Sequence, residues 1–466
     1  MLRRSLLLTL GMWGSYSSVF AASSARDLTI AGAPIRPAKP DAAIAKALDQ
    51  ISVSEIEHTD RALVGFHTRS TLSSMEQDLP PGQGINAAAD WIEAELKRYS
   101  AECGGCLEVK RDVFTEPAQN RIPKPTTLTN VYAVLRGSDP AQSKRMYLVT
   151  GHYDSRNSDN FDARGEAPGA NDDASGVAVS LACAHALSKL KPAATLVFVA
   201  VAGEEQGLVG SRHLAKLAKS EGWQLEGVLN NDIVGGNTTP GDRLQDKSAV
   251  RVFSEGIPAT ATPDQAKQAD SLGYSSDSPS RELARAIVEV GATYGGKFRP
   301  QLEFRRDRFL RGGDHTSFNQ EGFAAVRFTE WREDFNHQHQ NPRTENGVEY
   351  GDLIRFVDFG YIAQVARLNA ATLATLASAP PPPANPQLIT TDLDNNTTLL
   401  WENAGAYSEV VWRELTAPTW ERSVTVTDQK VTLPVSKDNV IFGIRSVDAA
   451  GHRSLTVVPT PQLPKR

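Results

Sequence analysis

Cysteine is scarce in this chain of 466 residues, which has only three. Cys103 and Cys106 stand together in "ECGGC", and neither a thioredoxin-like setting nor a second Cys/His pair accompanies them, which argues against a redox motif or a zinc knuckle. A tight local disulfide between them suits an oxidising compartment, whereas Cys183, in the apolar "SLACAHAL", reads as a small buried hydrophobe. Long Lys or Arg runs are absent and the formal net charge is -6, which argues against nucleic acid or an anionic membrane as the main partner and leaves small or peptide-like ligands open. Internal repeats are absent as well, and no segment reaches transmembrane length, so membrane insertion is not expected.

An apolar run opens the chain. In "MLRRSLLLTLGMWGSYSSVFA", Arg3 and Arg4 precede an apolar stretch from Leu6 to Trp13, and Val19 and Ala21 precede a cut at Ala22. This pattern predicts a secretory signal over residues 1–21 and a protein exported to the periplasm or the medium. With 40% hydrophobic and 22% charged residues, the chain as a whole has the composition of one large folded domain and a smaller companion.

From residue 22 to 378, helix-spaced segments such as "GQGINAAADWIEAELKRYS" alternate with strand-like runs such as "RMYLVTGHYD", "ATLVFVAVAGEE" and "FAAVRFTEW". The expected fold is α/β, a mixed sheet buried between helices, with functional residues beyond the carboxyl ends of its strands. Composition changes at "ASAPPPPANPQ", where residues 379–387 read as a proline-rich linker. Residues 388–466 carry short Val-, Thr- and Trp-rich runs between turn residues, which predicts a small all-β sandwich. One stretch of it, "FGIRSVDAAGHRS", resembles the last hairpin of fibronectin type III modules, and such a module could tether an exported enzyme to a surface.

Polar residues gather where the strands should stop. "RMYLVTGHYDS" ends in His152 and Asp154, "TLVFVAVAGEEQG" in Glu204 and Glu205, "GVLNNDIVGG" near Asp232, and "PGANDDASG" places Asp172 and Asp173 before an apolar helix. Helix capping accounts for adjacent acids at one helix start. It does not account for the strand ends. Imidazole and carboxylate are zinc ligands, and a hydrolytic pair of metal ions about 3.5–4 Å apart shares a bridging carboxylate and needs a further carboxylate as base.

The motifs "GHYDS", "GANDDASG", "GEEQGLVGS" and "NNDIVGG", in this order, closely resemble those of the zinc aminopeptidases of peptidase family M28, over roughly Arg61 to Ala377. The resemblance implies a two-zinc exopeptidase acting on peptides with a free N-terminus. His152 and Asp232 would bind one Zn²⁺ and Glu205 the other, Asp172 would bridge them, and Glu204 would be the general base. It further implies a cis bond between Asp172 and Asp173, a shaping role for Asp173 and Gly176, and an Asp154 that orients His152 through its second nitrogen.

The fifth ligand departs from the family motif. "FNHQHQNPRTENG" offers both His337 and His339, of which His339 better matches the downstream polar turn. Asp314 and His315 in "RGGDHTSF" resemble a pair that lines the family's pocket, with His315 a rival for the fifth ligand. Three other readings compete: a carboxypeptidase using Arg305, Arg306, Arg308 or Arg311 to hold a terminal carboxylate, a one-zinc glutaminyl cyclase-like enzyme, and an inactive binding protein. His67, His185 and His213 lie away from strand ends and are expected to be structural or exposed.

Overall fold

The computed structural model describes residues 32–391, 394–402 and 405–462; the expected signal segment lies outside them. An eight-stranded mixed sheet forms the centre of the larger part, in the order Leu107–Glu116, Thr126–Leu135, Thr195–Val201, Arg145–His152, Gln224–Asn231, Ala325–Glu330, Ala249–Ser254 and Arg299–Glu303. The four middle strands from Thr195–Val201 to Ala325–Glu330 run parallel, and the strands next to them on either side are antiparallel. Every residue of Thr195–Val201 and Ala325–Glu330 is buried, as expected of strands covered on both faces, although the second carries Arg327, Thr329 and Glu330.

Alternate residues feed two cores. Tyr147, Val149, Leu196 and Phe198 point to the layer holding the helices Ile85–Glu102, Ser175–Leu187, Pro279–Tyr294 and Phe359–Ser378. Leu148, Val197, Val199 and Val228 point the other way, against Leu214, Ala215 and Phe318 from the helices Val209–Ser220 and His315–Gln320. In Ile85–Glu102 the buried Ala88, Ile92, Leu96 and Tyr99 recur every three or four residues, the spacing of one helix face. The helix stops at Cys103, whose disulfide to Cys106 closes the turn into the first strand. Cys183 is a buried free thiol.

The C-terminal part is two four-stranded sheets whose inner faces share one core, including Leu388, Leu399, Trp401, Val410, Trp412, Phe442 and Ile444. Its limits differ from those expected. The strand Ala384–Ile389 starts inside the expected linker, pairing with Thr397–Glu402, so only Ala379 to Pro383 separates the preceding helix from this sheet. A proline tolerated near the start of a strand, where the pairing register breaks between Ala384 and Gln387, explains why composition misled here. A further strand, Ala33–Pro34, comes from the other end of the chain and pairs with Ser423 and Arg422.

Buried charge joins the two parts. Arg285, on the helix Pro279–Tyr294, pairs with Asp277 at 2.8 Å and with Glu282, and Arg413 of the C-terminal part reaches the same Asp277 at 2.6 Å. Trp420 donates its indole N–H to Glu282 at 2.9 Å, and Arg285 donates to the carbonyl of Pro418. Breaking a buried ion pair strands its partner in low dielectric. Asp277→Ala should therefore destabilise the protein by about 3 kcal/mol, the low end for such a loss because Arg285 keeps Glu282. A chemical-denaturation midpoint checks this.

Candidate metal centre

Three parallel strands end side by side and place the acids and the histidine expected of them. His152 is the last residue of its strand, Glu204 and Glu205 follow Thr195–Val201 across Gly203, and Asp232 follows Gln224–Asn231. The loop carrying Asp172 and Asp173 crosses above them. Two groups of ligand-type atoms result, each mutually within 4.8 Å: His152 with Glu204 and Asp232, and Asp172 with Glu205 and His339. Asp172 faces both. Its Oδ1 lies 3.1 Å from His152 Nε2 and its Oδ2 lies 2.8 Å from His339 Nε2, which itself is 3.0 Å from Glu205 Oε1.

The neighbouring aspartate does a different job. Asp173 accepts the backbone N–H groups of His152 at 2.9 Å, Gly176 at 2.9 Å and Ile233 at 3.3 Å, so it fastens the loop to two strand ends. The bond between Asp172 and Asp173 is cis. Glycines let the following helix sit on the sheet: a Cβ on Gly176 would lie 2.3 Å from the Asn231 carbonyl oxygen, and one on Gly151 2.4 Å from the Gly176 carbonyl carbon. Gly176→Ala should cost about 3 kcal/mol, the upper end of overpacking, because the atoms in the way are the Asn231 carbonyl oxygen and the Asp173 carboxylate that fastens the loop. Thermal unfolding of the variant measures it.

Negative charge is concentrated here. Asp154, Asp172, Asp173, Glu205, Asp232 and Asp314 are all buried, and Glu204 nearly so. Burial pushes Glu204 well above the usual carboxylate range, with the His152 imidazole opposing and Asp232 and Glu205 reinforcing the shift. Burial would raise Asp172 too, but the imidazoles of His339 and His152 outweigh it and hold Asp172 well below that range. Asp314 is pushed up to about 7 by burial. Buried ligand atoms at His152 Nε2, Glu205 Oε1 and His339 Nε2 have no hydrogen-bond partner, as atoms meant for a metal should not. Imidazole and carboxylate donors in two groups sharing one aspartate fit zinc.

Asp154 supports the centre from beneath. Its carboxylate accepts the backbone N–H groups of Glu204 and Glu205, each at 3.1 Å, and the hydroxyl of Thr71 at 2.9 Å, while His152 Nδ1 lies 3.2 Å from its carbonyl oxygen and 3.4 Å from its Oδ1. His337 is outside both groups: its ring stacks on Phe356 with centroids 3.5 Å apart and its Nδ1 meets the Thr239 hydroxyl. His315 also points elsewhere, with Nε2 2.8 Å from the Arg306 carbonyl and 3.6 Å from Asp307, and burial lowers it to about 4. Arg308 and Arg311 are engaged by Glu333, at 2.8 and 2.9 Å. His185 bridges Glu55 and Glu102, and His213 pairs with Asp112 and stacks on Phe114.

Several residues of the centre carry no motif signal. Asp352 accepts the N–H groups of Asn171 at 2.8 Å and Asp172 at 2.7 Å, and burial pushes it up to about 7 against those bonds. Arg327 pairs with Asp232 at 2.7 Å, Arg156 with Glu205 at 2.9 Å, and Gln338 donates to Asp172 at 3.2 Å. Arg69, fully buried, donates to the carbonyls of Leu63, Tyr153, Pro168 and Gly169 and so fixes the approach to the loop. Arg156 directly follows "GHYDS" and Gln338 lies between His337 and His339; the others stand beside no motif.

Residues 130–357 match the model of peptidase family M28. A protein of Leptosphaeria maculans named a probable zinc metalloprotease is 46% identical over 433 residues, which cover 92% of this chain and 99% of that protein. Another of that name, from Pyrenophora teres f. teres, is 45% identical over 438 residues, covering 92% of this chain and 89% of its own. Among solved structures, the LapA aminopeptidase of Legionella pneumophila superposes with a TM-score of 0.51 at 17% identity, over 75% of this chain and 79% of that one, a likeness of fold alone. The strand-end geometry, the family match and near full-length relatives at this identity agree: the chain belongs to peptidase family M28, whose members are zinc metallopeptidases.

Proposed function

We propose that this protein is an exported two-zinc aminopeptidase that removes the N-terminal residue of peptides. The observation that carries the reading is Asp172, whose two oxygens are divided between His152 and His339 at 3.1 and 2.8 Å, the arrangement of a carboxylate shared by two ions. His152 and Asp232 would hold the first zinc, Glu205 and His339 the second. Two ions held there would polarise the scissile carbonyl and lower the pKa of a water molecule. Glu204 takes the proton from the attacking water and returns it to the leaving amine nitrogen. Its raised proton affinity suits both halves of that exchange. Asp154 keeps Glu204 aimed by holding its backbone N–H, and orients His152. Export is supported by the pattern of residues 1–21.

Hydrolysis of a leucine amide with a free amino group, beside its N-acetylated form, tests the reading. Activity on the free amine alone, lost to a chelator and restored by zinc, is the expected result. Equal rates on both substrates would overturn the aminopeptidase reading, and no amidase activity in zinc-loaded protein would overturn hydrolysis at this centre.

A further inference from the structure

Among the described residues four phenylalanines are exposed, Phe161, Phe304, Phe309 and Phe335. All stand on segments that carry the centre: Phe161 between Arg156 and Asp172, Phe304 and Phe309 on the way to Asp314, and Phe335 shortly before His339. Next to Phe309, itself 71% exposed, Leu310 is 90% exposed, more than any other large apolar side chain described. Apolar groups scattered singly over a surface need no explanation, whereas several gathered at the mouth of a site mark a binding surface. Phe309 and Leu310 form the tip of a turn held firmly at its base. The Arg311 N–H donates to the Arg308 carbonyl at 3.1 Å, Arg308 pairs with Asp307 and Glu333, and Arg311 pairs with the same Glu333. Fully buried Arg327 donates to the Gly312 carbonyl at 3.1 Å and pairs with Asp232 at 2.7 Å, so the turn and the metal centre share one support. Leu310 has a left-handed backbone, φ 56°, where glycine fits and leucine is strained. Folding gains nothing from a leucine at that point, which leaves a gain from outside the fold as its reason.

Unpaired positive charge stands beside the tip. The Arg305 guanidinium lies over the Phe309 ring, 5.2 Å from its centroid, and Arg311 lies 5.7 Å from the centroid of Phe335. Arg308 and Arg311 are held by Glu333, but Arg305 is exposed and makes no ion pair among the described residues. The distance to the centre is short. A Cβ on Gly313 would lie 3.4 Å from Asp232 Oδ2, and Leu310 is three residues away, at most about 11 Å along the chain. An extended peptide covers about 3.3 Å per residue, so a substrate whose first residue sits at the metal centre meets the tip with its second to fourth residues. Building on the aminopeptidase reading, we infer that this turn docks the part of the peptide beyond the cleaved bond. Phe309 and Leu310 receive an apolar residue there, and Arg305 receives a carboxylate that follows it. The preferred substrates are therefore peptides with an apolar and then an acidic residue after the one removed.

Comparison of kcat/KM for leucine amide and for the amides of Leu-Gly-Gly, Leu-Phe-Asp and Leu-Phe-Asn, on zinc-loaded full-length protein, tests this. Wild type should favour Leu-Phe-Asp amide over Leu-Gly-Gly amide by about ten-fold, the low end for an apolar contact. It should favour Leu-Phe-Asp amide over Leu-Phe-Asn amide by about three-fold at low salt, a preference that fades as salt is added. Leu310→Gly removes the side chain and suits the left-handed backbone, so this variant should fold. Combined with Phe309→Ser it should erase the ten-fold preference, and Arg305→Gln should erase the three-fold one. Equal rates on the three peptide amides in wild type, or preferences that these variants leave intact, would overturn the inference and leave the aminopeptidase reading standing. Self-association of wild type at assay concentration, lost in Leu310→Gly, would also overturn it by assigning the tip to a second copy of the chain. No hydrolysis of leucine amide or of any peptide amide would overturn both.

Discussion

Glu204→Gln should lower kcat on a leucine amide by about 10²–10⁴-fold, the contribution of a positioned acid–base group, while the protein keeps its zinc. The side chain lies within 4.8 Å of ligand atoms of His152 and Asp232, so proximity alone would allow it to be a ligand. Its surroundings point to proton transfer instead. Burial, reinforced by Asp232 and Glu205, disfavours its charged form and so raises its affinity for a proton. Glutamine preserves the shape and removes that capacity. Zinc content and kcat measured on one sample separate the two roles: metal retained with activity lost marks the base, and metal lost along with activity marks a ligand.

Asp172→Ala should empty both subsites at once, weakening zinc binding by more than the roughly 100-fold that losing an outer partner brings, and should abolish hydrolysis. No other residue of the centre touches both imidazoles. The loop should survive, because the backbone N–H at this position still bonds Asp352 and Asp173 still fastens the strands. Asp173→Ala should fail in the other way. It strands three N–H groups at about 1–3 kcal/mol each and so should unfold the protein before its metal affinity is measurable. Metal analysis of dialysed protein, with a thermal melt beside it, distinguishes these adjacent acids.

The contrast between Asp172 and Asp173 also marks what the residues alone disclose. Strand ends were legible because a strand-like apolar run that stops at a His or an acid is a local pattern, and His152, Glu204 and Asp232 stand where such runs stop. The late histidine was harder. His337 and His339 are two residues apart, and what separates them is tertiary: Phe356 captures the ring of His337, whereas His339 reaches Asp172 from a left-handed backbone, φ 54°. Arg327, Asp352 and Arg156 were invisible for a related reason. Each acts through neighbours that only the fold brings near, and an isolated Arg or Asp in the sequence carries no periodicity to reveal it. The Ala33–Pro34 strand was missed likewise, since its partner lies almost 400 residues along the chain.

Anomalous diffraction at the zinc absorption edge, on crystals of the zinc-loaded protein, tests the central claim most directly. The account predicts two peaks about 3.5–4 Å apart, one beside His152 and Asp232 and one beside Glu205 and His339, with the Asp172 carboxylate between them. A single peak, or a pair that Asp172 does not bridge, would contradict it.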